Sequence, residues 1–373
     1  VFFTEGGGGR PGDVDVQTIA GLHVPSFAAL ARLRGQVPLI GVASGYCFAG
    51  NAAFLGCCDV VIATKDASIG MGGPAMIEGG GLGRYAPDEV GPASVQFQNG
   101  VVDLLVDDEA AAVTAAREYL AFFQGDQKSW RKTPAEESLN QAIPDNRLTV
   151  YDMHAVLAAI ADDDSLMTLR SGYAPGMITA LARVAGKPIG MIANNPAVMA
   201  GAITHDAADK AAAFLKLCDR HGLPIVSFCD TPGIMVGPES EQQGNVRFAS
   251  ELFLTGASLS VPMMMVVVRK AYGLGAMAMA GGGFHETRAT VSWPSGEFGA
   301  MGIEGAVKLG YRRELAAIDD DTEREAALNA RIRDAYERGK AINAAPFFEF
   351  DAVIEPAETR AWIQTMLSAR KDA

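Results

Sequence analysis

The feature that most constrains this chain is that it repeats itself at an offset of about 225 residues. Phe3-Thr4-Glu5-Gly6 corresponds to Phe228-Cys229-Asp230-Thr231, each an apolar strand that ends in an acid and runs into a turn. Val37-Pro38-Leu39-Ile40 corresponds to Val261-Pro262-Met263-Met264, and Ser44-Gly45-Tyr46 to Lys270-Ala271-Tyr272. Ile77-Glu78-Gly79 corresponds to Ile303-Glu304-Gly305. Landmarks that keep both order and spacing imply two copies of one domain. The first copy is expected over 1–124 and the second over 148–373, joined over 125–147 by a polar, patternless linker.

The second copy contains a strand (PIGMIANNP), an Ala-rich helix and a second strand (PIVSFCD) ahead of Asp230. The helix, about Asp206 to His221, has Ala207, Ala211, Phe214, Leu215 and Cys218 on one face at period 3.6, then Gly222 and Pro224 as stop signals. Strand, helix and strand in alternation give crossover units and a mostly parallel sheet, an α/β fold. By the same count the first copy is expected to be incomplete at its start by about 75 residues. Beyond the second copy, Thr322 with Glu325 suggests a capping box for a charged helix through about Ala341, and Pro356 opens a final helix with Trp362, Met366 and Leu367. Neither helix has a counterpart in the first copy, and both are expected to pack on a partner.

Composition narrows the function. The 373 residues carry a formal net charge of -13, which provides no cationic surface for nucleic acid. No apolar run reaches the length of a membrane span. The five cysteines, Cys47, Cys57, Cys58, Cys218 and Cys229, show no C-x-x-C spacing and read as reduced packing residues of a cytoplasmic protein. His23, His154, His205, His221 and His285 are scattered without carboxylates at ligand spacing, so no metal is expected. Asp230-Thr231-Pro232-Gly233 has no accompanying P-loop, and no G-x-S-x-G is present.

The sharpest candidates for chemistry are the turns after the two Val-Pro strands. Each buried strand enters a glycine-bearing turn and a helix of small residues, Ala49-Gly50-Asn51-Ala52-Ala53 in one copy and Leu274-Gly275-Ala276-Met277-Ala278 in the other. A helix start leaves N–H groups unpaired, and small residues let a carbonyl oxygen approach them. That is an oxyanion hole, in which one donor is worth about 3 to 4 kcal/mol of barrier. Tight helix-on-sheet packing would explain either turn alone; matching turns in both copies favour function.

SGYCFAGNAAFLGCCDVVIA with GMGGPAMIEGGG, then YDMHAVLAAI, GKPIGMIANNP, DTPG, VVRKAYGLGAMAM and VSWPSGEFGAMGIEGAV, together resemble the carboxyltransferase component of biotin-dependent acyl-CoA carboxylases. The resemblance implies two tandem crotonase-like (ClpP/crotonase) β-β-α superhelix domains, the first incomplete near its EGGGGRPGD segment. It implies that a carrier protein brings carboxybiotin, whose breakdown gives CO2 and a biotin enolate held by the N–H groups of Leu274 and Gly275. The biotin nitrogen then takes the α-proton of an acyl-CoA, and the thioester enolate, held by the N–H groups of Ala49 and Gly50, attacks CO2. Gly45, Tyr46, Phe48, Gly273, Ala276 and Met277 would border the substrate, Met277 where the family tunes acyl size, and Lys270 and Tyr272 the cofactor. The facing holes of the family come from different subunits, so a dimer, commonly built up to a hexamer, is implied. With no Met-Lys-Met motif and no ATP-binding module in the sequence, the biotin carboxyl carrier and biotin carboxylase are expected on other chains or other parts of the polypeptide.

Rival readings are a crotonase-type hydratase, isomerase or hydrolase, which would need a carboxylate such as Glu78 beside the first hole, and a noncatalytic scaffold subunit. Arg269 and Lys270 could meet CoA phosphates or the carboxylate of biotin but read first as strand-end cations solvated at the rim, and Glu5 and Asp230 read as turn-forming acids first and catalytic residues second. The Glu78–Gly83 glycine run reads equally as a loop or a cover for CoA.

Overall fold

The structure, a computed structural model, describes residues 1–7 and 23–368; most of the EGGGGRPGD segment therefore lies outside the described residues. The chain divides into two compact units, Val1–Gly125 with Leu169–Ala174, and Asp126–Thr168 with Pro175–Ala373. Both are α/β.

In the first unit, β1 (Phe2–Phe3), β2 (Ile40–Ala43), β4 (Val60–Thr64) and β6 (Leu104–Val106) form a parallel sheet in the order β1-β2-β4-β6. β2 and β4 are apolar along nearly their whole length and fully buried, as strands covered on both faces must be. β3 (Tyr46–Phe48) leaves this sheet and pairs in parallel with β5 (Ser68–Gly70). Helix Gly50–Gly56 lies against β2, where a Cβ on Gly41 would come within 2.5 Å of the Leu55 side chain. Leu55, Val61, Ile69 and Val102 form the core.

In the second unit, β7 (Met167–Leu169), β8 (Met177–Val184), β9 (Lys187–Asn194), β10 (Ile225–Thr231), β11 (Met263–Tyr272), β12 (Ala289–Ser292) and β14 (Ala352–Val353) lie in the order β14-β12-β11-β10-β9-β8-β7. β13 (Glu297–Gly299) pairs with the end of β11. The expected helix runs from His205 to Arg220 and buries the predicted face. It seats on β9 at Gly190, where a Cβ would stand 2.4 Å from the Cys218 sulfur.

The two units repeat one pattern. β1-β2-β4-β6 corresponds to β10-β11-β12-β14, and the β3–β5 pair to the pairing of β11 with β13. The register aligns Tyr46 with Lys270, Phe48 with Tyr272, Ala49 with Gly273 and Gly50 with Leu274.

Three expectations need correction. Most of the 125–147 stretch is not a free linker but belongs to the second unit: Gln127 N–H donates to Gly186 O at 2.9 Å, and Leu139 is 1% exposed in that unit's core. Polar composition hid a few apolar anchors. The charged helix spans Asp321–Gly339 and is capped by Asp320, whose carboxylate accepts from Glu323 N–H at 2.8 Å, ahead of the expected Thr322 box. Asp is at least as strong an N-cap as Thr, and it comes first. The final helix, Thr359–Ser368, packs on its own unit, burying Ile363 and Met366 and accepting Trp293 Nε1–H on Thr359 Oγ1 at 2.9 Å.

Leu139→Ala is expected to cost about 2–5 kcal/mol in urea unfolding, as a core truncation does. A loss below about 1 kcal/mol, the range of surface changes, would return this stretch to the status of a linker.

Candidate active site

Each unit builds its turn on an acid. In the second unit Cys229 stands opposite Val267 but Thr231 opposite Ala271, so β11 carries extra residues across from Asp230. The Asp230 carboxylate, 0% exposed, occupies this bulge and accepts Lys270 N–H at 3.1 Å, Lys270 Nζ at 2.7 Å, Arg269 Nε at 3.1 Å and Tyr151 OH at 2.7 Å. The first unit has the same bulge: Phe3 is opposite Val42, Gly6 bridges Cys47, and Glu5 Oε1 accepts Ser44 N–H at 2.6 Å and Ser44 Oγ–H at 2.8 Å. Extra residues re-aim a strand. Here they carry the chain out of the main sheet into the short second pairing and then into the helix turn.

Arg269 and Lys270 are therefore not solvated cations. Arg269 is 4% exposed, its guanidinium also donates to the carbonyls of Arg147 and Thr149, and it stacks on the Tyr151 ring. The Lys270 ammonium is spent on Asp230 and the Tyr272 hydroxyl on Glu297 at 2.7 Å. A buried carboxylate is costly unless paired, so the strand-end cations were drawn inward.

At the first turn, Ala49 N–H donates to Gly70 O at 3.0 Å, so the donor expected from Ala49 is already engaged. Among the described residues the N–H groups of Gly50 and Asn51 have no backbone acceptor, and the Asn51 side chain ties the helix to β1 through Glu5 O at 3.0 Å. Ala49 adopts φ 56°, ψ -122°, where its counterpart Gly273 has φ 54°. This region belongs to glycine, and an L-residue there costs about 1–3 kcal/mol. At the second turn the N–H groups of Leu274 and Gly275 likewise have no backbone acceptor among the described residues. Leu274 is exposed and Gly275 buried, a Cβ on Gly275 falling 2.7 Å from Gly233 Cα.

Each turn opens on a cavity. The first, of about 540 Å³, brings together Gly45, Tyr46, Phe48 and Ala49 with Pro74, Met76 and Glu5. Glu78, the carboxylate suggested for a hydratase, faces Arg84 on the exposed side of helix Pro74–Gly79, and the carboxylate that does border this cavity is that of Glu5, held by Ser44. The second cavity, of about 670 Å³, is bordered by Gly273, Ala276 and Met277 together with Phe284, His285, Phe298 and Phe347. Sequence reasoning missed these last four. They come from separate segments, and the one signal was the Phe347-Phe348 pair in a turn. Among the described residues no group of three or more His, Cys, Asp or Glu side chains is placed to hold a metal ion.

The carboxyl transferase domain family matches residues 5–373. The chain is 31% identical to the methylmalonyl-CoA carboxyltransferase 12S subunit of Propionibacterium freudenreichii subsp. shermanii, over 98% of this chain and 71% of that protein. It is 30% identical to the biotin-dependent acetyl-/propionyl-coenzyme A carboxylase beta6 subunit of Mycobacterium tuberculosis, over 92% and 73%. Among solved structures, a single-chain, multi-domain long-chain acyl-CoA carboxylase superposes with TM-score 0.91 at 53% identity, covering 98% of this chain, which spans 35% of that one. The transcarboxylase 12S hexamer with methylmalonyl-CoA bound superposes with TM-score 0.81 at 30% identity, over 93% and 70%. The chain belongs to the carboxyl transferase family. Within it, this is a carboxyltransferase of the biotin-dependent acyl-CoA carboxylase type.

Burial, and then Asp230, pushes the Tyr151 hydroxyl well above its usual range; burial and Glu297 do the same to Tyr272, and burial raises the Cys58 thiol to about 11. These groups keep their protons in the folded chain where the unfolded chain has lost them. The stability they contribute is complete below about pH 8 and is lost progressively as pH rises past the unfolded values, about 8.5 for the thiol and about 10 for the phenols, towards the raised folded ones. Urea midpoints are expected to fall between pH 8.5 and 10.5, less steeply in Tyr151→Phe; identical slopes would contradict the assignment.

Proposed function

We propose that this chain moves a carboxyl group from carboxybiotin on a carrier domain to the α-carbon of an acyl-CoA, with each unit a crotonase-like domain contributing one oxyanion site. The observation that carries the reading is the duplicated, acid-anchored turn, each copy with N–H groups that have no backbone acceptor among the described residues and each with a turn residue, Ala49 or Gly273, at the edge of a cavity.

In this reading the first cavity receives the thioester. Gly50 N–H, with Asn51 N–H beside it, donates to the carbonyl oxygen and strengthens its grip as negative charge develops there. The apolar walls of Tyr46, Phe48 and Met76 exclude water from the α-carbon. The second cavity suits an uncharged ureido ring, its walls being mostly apolar, and we assign the ureido oxygen to the N–H groups of Leu274 and Gly275, which follow the cavity-lining Gly273 on the same turn. Biotin supplies the carried carboxyl group when bound. Lys270 and Tyr272 act at one remove, through Asp230 and Glu297, by fixing the turn rather than by touching biotin.

The 12S hexamer and the beta-subunit relatives support a homo-oligomer that works with a biotin carboxyl carrier and a biotin carboxylase. In two copies of the chain, we propose, the first turn of one serves with the second turn of the other. No helix among the described residues is long and apolar enough to cross a membrane, and we read the protein as cytoplasmic.

The test supplies malonyl-CoA and methylmalonyl-CoA to the intact protein with and without free biotin and follows decarboxylation. Biotin-dependent turnover is expected; hydration of an enoyl-CoA in its place would overturn the reaction. Leu274→Pro removes one N–H in the first turn of a helix, where Pro is tolerated, and is expected to lower kcat about 100-fold or more with the fold retained. A folded variant with near-normal kcat would remove the second turn from the mechanism.

A further inference from the structure

Ala49 has lost the role of donor and gained an unexplained cost. Its N–H is committed to Gly70 O and its carbonyl accepts Ala53 N–H at 3.0 Å, so both backbone groups serve the turn. A glycine would make the same two bonds without strain, and the matching position of the second unit is a glycine, Gly273. There a Cβ would lie 2.6 Å from Ala300 O, so a side chain is barred. At Ala49 the methyl group is present, the residue borders the first cavity beside Phe48, and the next residue of the chain is Gly50, whose N–H has no backbone acceptor among the described residues. On a cavity-lining residue whose two backbone groups are committed to the turn, the methyl is the one group left to meet a ligand.

We propose that Ala49 is a specificity-determining residue, whose methyl group limits the size of the substituent that the α-carbon of the acyl thioester can carry. The inference rests on reading the first turn as the acyl site. A thioester whose oxygen lies at Gly50 N–H has its α-carbon about two bonds away, next to the neighbouring residue on the turn. Tyr46, Phe48 and Pro74, three ring-bearing residues, line the same cavity. A methylene in such a pocket changes discrimination about 10- to 200-fold.

Ala49→Gly in the intact protein tests this. Malonyl-, methylmalonyl- and ethylmalonyl-CoA, whose α-substituents are hydrogen, methyl and ethyl, are decarboxylated with free biotin present; the bond from the α-carbon to the carboxylate breaks, CO2 leaves and the α-carbon takes a proton from solvent. The ethylmalonyl-to-malonyl ratio of kcat/KM is expected to rise at least tenfold over the unaltered protein, while relief of strain raises the unfolding midpoint by about 2 °C. A ratio within twofold of the unaltered protein's, with the midpoint raised, would show that the methyl meets no substrate and overturn the inference while leaving the carboxyltransferase reading in place. Absence of biotin-dependent turnover in the unaltered protein would overturn that reading and this inference together.

Discussion

A carboxylate at the carboxyl end of one strand grips the backbone of the next strand where that strand bulges, and both candidate sites depend on this contact. Without an acceptor at the bulge, the N–H of Lys270 would be buried and unpaired, a cost of about 1–3 kcal/mol. With Asp230 in place the extra residues are held, the end of β11 swings to β13, and the next helix begins where its first N–H groups have no acceptor. Glu5 does the same for Ser44, β3 and helix Gly50–Gly56. Asp230 lines neither of the two cavities and acts through the turn it holds, while Glu5 both holds its turn and borders the first cavity.

The two copies have diverged around that shared contact. Asp230 is fully buried and matched by Arg269, Lys270 and the Tyr151 hydroxyl, a closed polar cluster that fixes the second turn firmly. The Glu5 carboxylate accepts two hydrogen bonds from Ser44, and the residue borders the first cavity. The turns differ too: the second has a relaxed Gly273 and a Gly275 locked against Gly233, while the first holds Ala49 in a glycine conformation.

Much of this was legible in the sequence. The internal repeat implied one strand pattern used twice, as the matching strand orders of the two units have it, and the small residues after each Val-Pro strand pointed to the turns that open helices Gly50–Gly56 and Gly273–Met279. The helix His205–Arg220 followed from its apolar period. The missed features depend on geometry that residue order does not encode. Sequence order matched Ala49 to Leu274, whereas the sheet register aligns it with Gly273, a one-residue difference that reassigns the donors. Arg269 and Lys270 looked solvated because their partner lies on a neighbouring strand. Leu139 and its few apolar companions were too sparse to lift a polar stretch out of the linker class. The aromatic wall of the second cavity gathers Phe284, Phe298 and Phe347, which no local pattern joins.

Hydrogen exchange of Asp230→Asn tests most directly whether the acid aims the turn. An Asn keeps the shape of the side chain but loses the charge that holds Arg269 and Lys270. The amides from Lys270 to Ala276 are then expected to exchange at least about tenfold faster, an opening cost of 1.4 kcal/mol or more, while those of β8 and β9 keep their protection. Unchanged exchange across Lys270 to Ala276 in the folded variant would contradict the claim that this carboxylate sets the second site.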